Sequence, residues 1–407
     1  MADIVIDTDD TDGFVFSTAD STLTLNAGIT LTNAGVALDA SALADGRIIA
    51  INGTINETAG NSFRGAAIDV NGALSSVVIS ETGRVKSERV GIQLAGDNSS
   101  IDIIGTVISG ATGVTMDGQG SSLTVSGKLR SSTTAIVMGE GFEDQTITNT
   151  GLIRGENIGF SMLGEGTLIN EKGGAITGPK NFGSDSTQEI FNKGTINGDI
   201  FLEGGNDIYD GRGGTLNGRV FGGDGGDIYL VDDAKTRIRE NEDEGSRDTV
   251  FTSVTYSLGD NFEFLVLEGT KDLNGFGNGL DNALAGNSGR NRLAGRSGID
   301  SLQGLGGRDI LAGGKGQDSL LGGTGGDTFV FATGDGRDIV SDFAIADGDR
   351  IDLSRLDAVT SFADLKAHHM ELIFNVLIIT AGEDVLTLFN IDNPSDFADL
   401  GKSDFIF

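Results

Sequence analysis

The chain has no cysteine, no tryptophan, two prolines and two histidines in 407 residues. Without cysteine there are no disulfides and no thiolate metal sites. Two prolines set against 65 glycines exclude collagen-like and proline-rich linker architectures. No apolar run reaches the roughly 18 residues of a membrane span, and the longest, LIFNVLIIT at 372–380, is too short. The N-terminus MADIVIDTDDTDG lacks the basic and apolar regions of a secretory leader, so the expected location is either the cytosol or outside the cell by another export route. Positive charge is scarce as well: 28 Lys+Arg against 60 Asp+Glu give a net charge of −32. Nucleic-acid phosphates would be repelled, which leaves cations and neutral or cationic surfaces as expected partners.

What is abundant is glycine, about 16% of the chain against an average near 7%, together with enough Val, Ile, Leu and Ala to fill a narrow core. The first 230 residues repeat loosely. A small polar turn, often with Asn, precedes a Gly-x-apolar step at Gly35, Gly53, Gly83, Gly105, Gly127, Gly151, Gly174, Gly194 and Gly214. Intervals of about 20–25 residues with short β-branched strands describe coils of a parallel β-solenoid, each burying its apolar side on its neighbours. An antiparallel sandwich would show more two-residue turns and stricter alternation. Right-handed coils are the default. The segments 194–213 and 214–233 align without a gap and place Asp207 and Asp227 one coil apart.

From 277 a nine-residue repeat becomes strict: GNGLDNALA, GNSGRNRLA, GRSGIDSLQ, GLGGRDILA, GGKGQDSLL, GGTGGDTFV. In the last four units the first and fourth positions are glycines: Gly295 and Gly298, Gly304 and Gly307, Gly313 and Gly316, Gly322 and Gly325. The sixth position reads Asn282, Asn291, Asp300, Asp309, Asp318 and Asp327, and the eighth is Leu or Phe throughout. Six residues of turn and three of strand make half a coil, so residues eighteen apart stack on one edge. The carboxylate pairs Asp300 with Asp318 and Asp309 with Asp327 would then offer oxygen to a hard cation that takes six to eight oxygens at about 2.3–2.6 Å. Asn282 and Asn291 supply weaker positions, and the eighth-position side chains form a thin core.

These repeats resemble the RTX family of GGxGxDxUx nonapeptides, in which U is a large apolar residue. The resemblance implies a calcium-loaded parallel β-roll, with several Ca2+ ions held at Asp300, Asp309, Asp318 and Asp327, at the eight glycines named above and at Asn291. By the same likeness Asp227, in GGDGGDIYL, and Asp207, in EGGNDIYD, join them. Residues 222–278 look like the module that leads into such rolls. The stretch 325–354 resembles the segment that ends them in serralysin-type proteins, and the terminal Asp404-Phe405-Ile406-Phe407 resembles a type I secretion terminus. The expected organisation is a β-helix over 1–235, a connecting module over 236–275, the roll over 276–331 and a β-rich cap with secretion signal over 332–407. The implied location is extracellular or cell-surface, from a Gram-negative bacterium, with calcium coupling folding to export.

The function of the helical half is less marked. There is no His-Glu-x-x-His, no Gly-x-Ser-x-Gly elbow, no Asp-Pro-His-Glu epimerase motif and no long apolar helix of a cytolysin. The reading is a secreted, calcium-binding protein whose non-catalytic β-helix serves adhesion or matrix or surface binding. Extracellular polysaccharide or a cell surface is the partner, and no catalytic residue is assigned. The alternative is a β-helical polysaccharide lyase or epimerase that uses basic residues such as Arg84, Lys86 and Arg89 with nearby acids.

Overall fold

A computed structural model describes residues 3–15, 22–33, 36–40, 45–58, 66–139, 143–184, 186–241, 247–373, 376–389 and 400–407; Gly35 lies outside them. The chain is all-β, 54% strand and 4% helix, and forms a parallel β-solenoid of about 15 turns. It divides into two compact units, Met1–Gly225 with Thr236–Ile238, and Gly226–Lys235 with Arg239–Phe407. No helix among the described residues is long and apolar enough to cross a membrane.

In the first unit each coil contributes one strand to each of three parallel sheets. One coil runs Ser100–Ile103, Thr106–Ser109 and Thr112–Asp117. The alternation Ser-Ile-Asp-Ile turns Ile101 and Ile103 inward, where both are fully buried. Along the first sheet Ser76 pairs with Ser100, then Ser122, Thr146, Thr167 and Glu189, steps of 24, 22, 24, 21 and 22 residues. Inward side chains therefore stack on like side chains, with Ile101 on Leu123 and Ile147. Each such side chain contributes about 1.5–3 kcal/mol on burial.

The glycine steps of the first unit arise from close backbone approach rather than from left-handed backbone. Gly83, Gly105, Gly127 and Gly151 do not adopt positive φ. They form a column in which a Cβ on Gly105 would overlap the Gly83 carbonyl oxygen, one on Gly127 that of Gly105, and one on Gly151 that of Gly127. Close backbone stacking at the coil corner selects glycine here. The asparagines of the same turns form a buried ladder: Asn149 Nδ2 donates to Asn170 Oδ1 at 2.8 Å, and Asn170 Nδ2 to Asn192 Oδ1 at 2.7 Å. Paired amides satisfy polar groups that would otherwise be costly in the interior.

The second unit has two strands per coil. One sheet includes Ala283–Ala285, Ser301–Gln303 and Ser319–Leu321, and the other Arg292–Ser297, Ile310–Lys315 and Thr328–Ala332. The partners are eighteen residues apart: Leu284 on Leu302 on Leu320, and Leu293 on Leu311 on Phe329. All six side chains are at most 2% exposed. The two-strand pattern already holds upstream of the strict repeat, in Ile228–Val231, Thr249–Thr252 and Phe264–Leu267. At the far end Arg337–Val340 pairs with Asp384–Leu388, followed by the antiparallel strands Val376–Ala381 and Met370–Ile373. The other sheet ends with Phe405–Ile406 beside Arg350–Arg355, so the terminal Phe405 is a buried edge-strand residue.

Lys180 breaks the apolar pattern of the first unit. Its side chain is fully buried, Nζ donates to Asn197 O at 2.8 Å, and burial lowers its pKa to about 7. Because the folded value lies below the ordinary lysine value, the unfolded chain binds more protons between about pH 7 and 10, and stability falls as pH drops through that window. Lys180→Met should raise the first unit's unfolding free energy at pH 7 by about 1 kcal/mol and flatten this pH dependence, as read by chemical denaturation at pH 7 and pH 9.

Candidate metal centre

The nonapeptide carboxylates stand in two ladders, one along each edge of the second unit. In the first, the Asn282 N–H donates to Asp300 Oδ1 at 2.7 Å, the Asp300 N–H to Asp318 Oδ1 at 2.8 Å, and the Asp318 N–H to Asp338 Oδ1 at 3.1 Å. In the second, Asn291 donates to Asp309 at 2.7 Å, Asp309 to Asp327 at 2.8 Å, and Asp327 to Asp349 at 2.8 Å. Each aspartate thus spends one oxygen on the backbone of the coil before it. The other oxygen is left over: Oδ2 of Asp300, Asp309, Asp318, Asp327 and Asp338 is buried without a hydrogen-bond partner. Such an oxygen costs about 1–3 kcal/mol, more when charged, unless something fills its remaining valence.

The glycines make this arrangement possible in two ways. At the first position, a Cβ on Gly295, Gly304, Gly313 or Gly322 would collide with Oδ2 of Asp300, Asp309, Asp318 or Asp327 of the same repeat. At the fourth position Gly298, Gly307, Gly316 and Gly325 have φ between 119° and 155°, a region that side chains rarely adopt. A Cβ on Gly316 would also overlap the Gly298 carbonyl oxygen, and one on Gly325 that of Gly307.

The asparagines play another part. Asn282 Oδ1 accepts from the Asn278 N–H at 2.7 Å and its Nδ2 donates to Phe262 O at 2.8 Å. Asn291 does likewise with the Asn287 N–H at 2.7 Å and Leu273 O at 3.0 Å. Both amides anchor turns. Asp349 closes the second ladder, since its Oδ2 is taken by the Ala344 N–H at 2.9 Å. Asp207 lies in the first unit and accepts from the Gln188 N–H at 2.7 Å. Asp227 lies in the second, buried beside Glu240 and Asp248.

Asp338 and Asp349 escaped the nine-residue pattern because the coil lengthens to 20 and 22 residues there. The signal that persists is an acid two places before a buried apolar residue, Asp338 before Val340 and Asp349 before Ile351. Asp248 before Val250 follows it too.

Oxygen-only donors with a free valence fit a hard cation such as Ca2+, and they do not fit the nitrogen and sulfur preference of zinc. The residues that would hold it are Asp300, Asp318 and Asp338 on one edge and Asp309 and Asp327 on the other. Bound there, the ion would supply positive charge to the buried, unbonded oxygens of these five carboxylates.

Burial raises these pKa values, opposed by the backbone donors and reinforced by neighbouring carboxylates. Those neighbours include ladder members for Asp300, Asp309 and Asp338 and lie outside the ladders for Asp318 and Asp327. Asp300 and Asp309 reach about 7, Asp318 about 6 and Asp338 about 8, and Asp327 moves in the same direction. The folded values exceed the ordinary 3.8, so the native state holds more protons between about pH 4 and pH 8. Without a cation, stability is greatest at the acid end of that window and is lost as pH rises. Expected outcomes are a falling melting temperature of the chelator-treated second unit from pH 5 to pH 8, and a half-saturating calcium concentration that falls over the same range because protons compete for the ladders. Calorimetric scans with chelator and calcium titrations at each pH check both.

No family model matches the chain, and no curated protein matches it. Among solved structures, the crystal structure of the extracellular lipase LipA from Serratia marcescens is similar, with 17% identity and a TM-score of 0.27, over 59% of this chain and 43% of that one. The chain therefore spans less than half the length of that lipase, and at this TM-score the likeness adds nothing to the strand pairing described above.

Proposed function

We propose that the protein is a secreted, calcium-folded RTX protein. Its second unit is a β-roll that closes on Ca2+, and its first unit is a non-catalytic surface for binding anionic matrix or cell-surface material. The observation that carries this reading is the pair of ladders with five buried carboxylate oxygens left unbonded. In cytosol poor in calcium those charges oppose compaction. Outside, a site with a Kd of about 10⁻⁴–10⁻³ M fills, and each site at a hundredfold excess over its Kd contributes about 2.7 kcal/mol. The type I secretion machinery is the partner for the C-terminal region. In this reading the terminal strand Phe405–Ile406 docks only once the roll has formed.

The surface that the first unit offers is on its second sheet. Outward positions in four consecutive coils hold Arg84, Thr106, Lys128 and Leu152 in one column and Lys86, Ile108, Arg130 and Arg154 in the next. All five basic side chains are exposed, and no acid stands in either column. Coil spacing near 4.8 Å sets these charges at the pitch of a β-sheet. Net charge points to neutral or cationic surfaces, whereas this local stripe favours an anionic partner such as an acidic polysaccharide. Charge segregation within a solenoid makes the local field, not the sum, the relevant quantity.

A second reading, a polysaccharide-active enzyme, is favoured by one feature. A cavity of about 260 Å3 brings Arg130 and Arg154 together with Glu156, a charge-neutralising pair beside a carboxylate that could act as a base.

Calcium titration of the full chain, followed by circular dichroism and calorimetry, should show a gain of β signal that chelator reverses. Asp309→Asn with Asp318→Asn should weaken both ladders and raise the half-saturating concentration about tenfold or more; an unaltered titration overturns the calcium reading. Binding to immobilised acidic polysaccharide should fall with rising salt and disappear in Arg130→Glu with Arg154→Glu, while the calcium titration stays unchanged. Release of unsaturated products by the wild type, abolished in the same variant, would establish the enzyme in place of the binder. Removing residues 332–407 should leave the protein inside a producing cell that carries type I machinery.

A further inference from the structure

Basic residues are scarce in this chain, yet four arginines meet at one cavity of the second unit. The cavity, of about 480 Å3, is lined by Arg290, Arg292, Arg308 and Arg350, with Asn274 and Thr328 beside them. The repeat explains the convergence. Arg290 and Arg308 hold the fifth position of two nonapeptides eighteen residues apart, so they stand one coil apart on the same edge. Arg292 belongs to the outward column that runs on through Ile310 and Thr328 to Arg350.

The cavity also has a cause that the regular repeat lacks. The coil that ends at Asp349 is 22 residues long instead of 18, and within it stands the short 3-10 turn Ile345–Asp347, followed by Gly348 at a φ of 91°. Asp347 and Gly348 wall the cavity. Gly326 lies against that wall at the fifth position, where the two earlier nonapeptides on this edge carry Arg290 and Arg308. A Cβ there would stand only 3.0 Å from Asp347 O and 3.1 Å from Gly348 O.

Arginine stays charged in a protein, so the cavity keeps its positive field at any working pH. Among the described residues, the guanidinium groups of Arg290, Arg292 and Arg308 enter no hydrogen bond or ion pair, and Arg350 uses only Nε, which donates to Ser403 O at 3.0 Å. Two acids also line the cavity. Asp347 is exposed, whereas the Asp309 carboxylate is turned into its ladder, with Oδ1 accepting the Asn291 N–H at 2.7 Å and Oδ2 enclosed.

We propose that this cavity binds a small soluble phosphate monoester of sugar size. An arginine fork pairs two oxygens at once. A carboxylate offers two oxygens and one charge, enough for one fork, whereas a phosphate monoester offers three oxygens and nearly two charges. Three unengaged forks select the phosphate. The volume falls within the range of small-molecule sites, and Asn274 and Thr328 provide polar side chains for hydroxyls of the ligand body. None of these residues belongs to the basic stripe of the first unit.

Calorimetric titration of the calcium-loaded full chain with glucose 6-phosphate should show one saturable site that weakens as salt rises. Glucose and glucuronate, a similar body with no charge or with a carboxylate, should bind more weakly by about tenfold or more. Arg292→Gln with Arg308→Gln should weaken glucose 6-phosphate by about tenfold or more while circular dichroism in calcium is unchanged. Arg130→Glu with Arg154→Glu, on the first unit, should leave its affinity intact. Absence of saturable binding, glucuronate bound as tightly as the phosphate, or full affinity in the Arg292 and Arg308 variant overturns the proposal. Should that variant not fold, Arg308→Lys, which keeps the charge and loses the fork, should still weaken binding, and unchanged affinity there overturns the proposal equally.

Discussion

The second unit depends on one repeated bond, from the N–H of a sixth-position residue to the carboxylate of the sixth-position residue one coil later. That bond fixes the register at eighteen residues, brings Leu284, Leu302 and Leu320 into one column, and consumes a single carboxylate oxygen per coil. The glycines follow from the same constraint. A carboxylate folded back over its own turn leaves no room for a Cβ at the first position, and a turn this tight requires positive φ at the fourth. The core and the candidate cation sites are therefore two faces of one arrangement, and a change in coil length disturbs both. Where the coil grows to 22 residues at Asp349, the ladder closes, because the longer turn supplies a second backbone donor and leaves no open oxygen.

The first unit meets the same stacking problem in its turns with neutral groups. Its corners use glycine columns for close backbone approach and its turns use paired amides, Asn149 to Asn170 to Asn192. In these turns the amide oxygens of Asn170 and Asn192 are each matched by the amide nitrogen of a neighbouring coil. The first unit presents an array of side chains whose spacing the sheet dictates. The stripe from Arg84 to Arg154 is such an array in a chain whose overall charge has the opposite sign.

The parallel solenoid, the two-strand coil of the roll, the inward leucines and the paired aspartates were legible in the sequence, because a strict period translates directly into stacking. The basic stripe was harder to see. Arg84, Lys128 and Arg154 are scattered by 44 and 26 residues, and only the strand register places them on one sheet. The Asp227, Glu240 and Asp248 cluster was harder again, since Glu240 joins it through a loop whose path no period encodes.

The sequence by itself determined the repeat unit, the residue type at each turn position and hence the fold, since glycine, carboxylate and apolar side chain recur at intervals that admit one way of stacking. Only the tertiary structure decided which carboxylate oxygens remain open. Asp300 and Asp349 carry the same group, yet Asp300 keeps Oδ2 unbonded while Asp349 spends both oxygens on backbone donors. That difference arises from how many N–H groups each turn turns inward, a property of backbone geometry that residue identity does not specify.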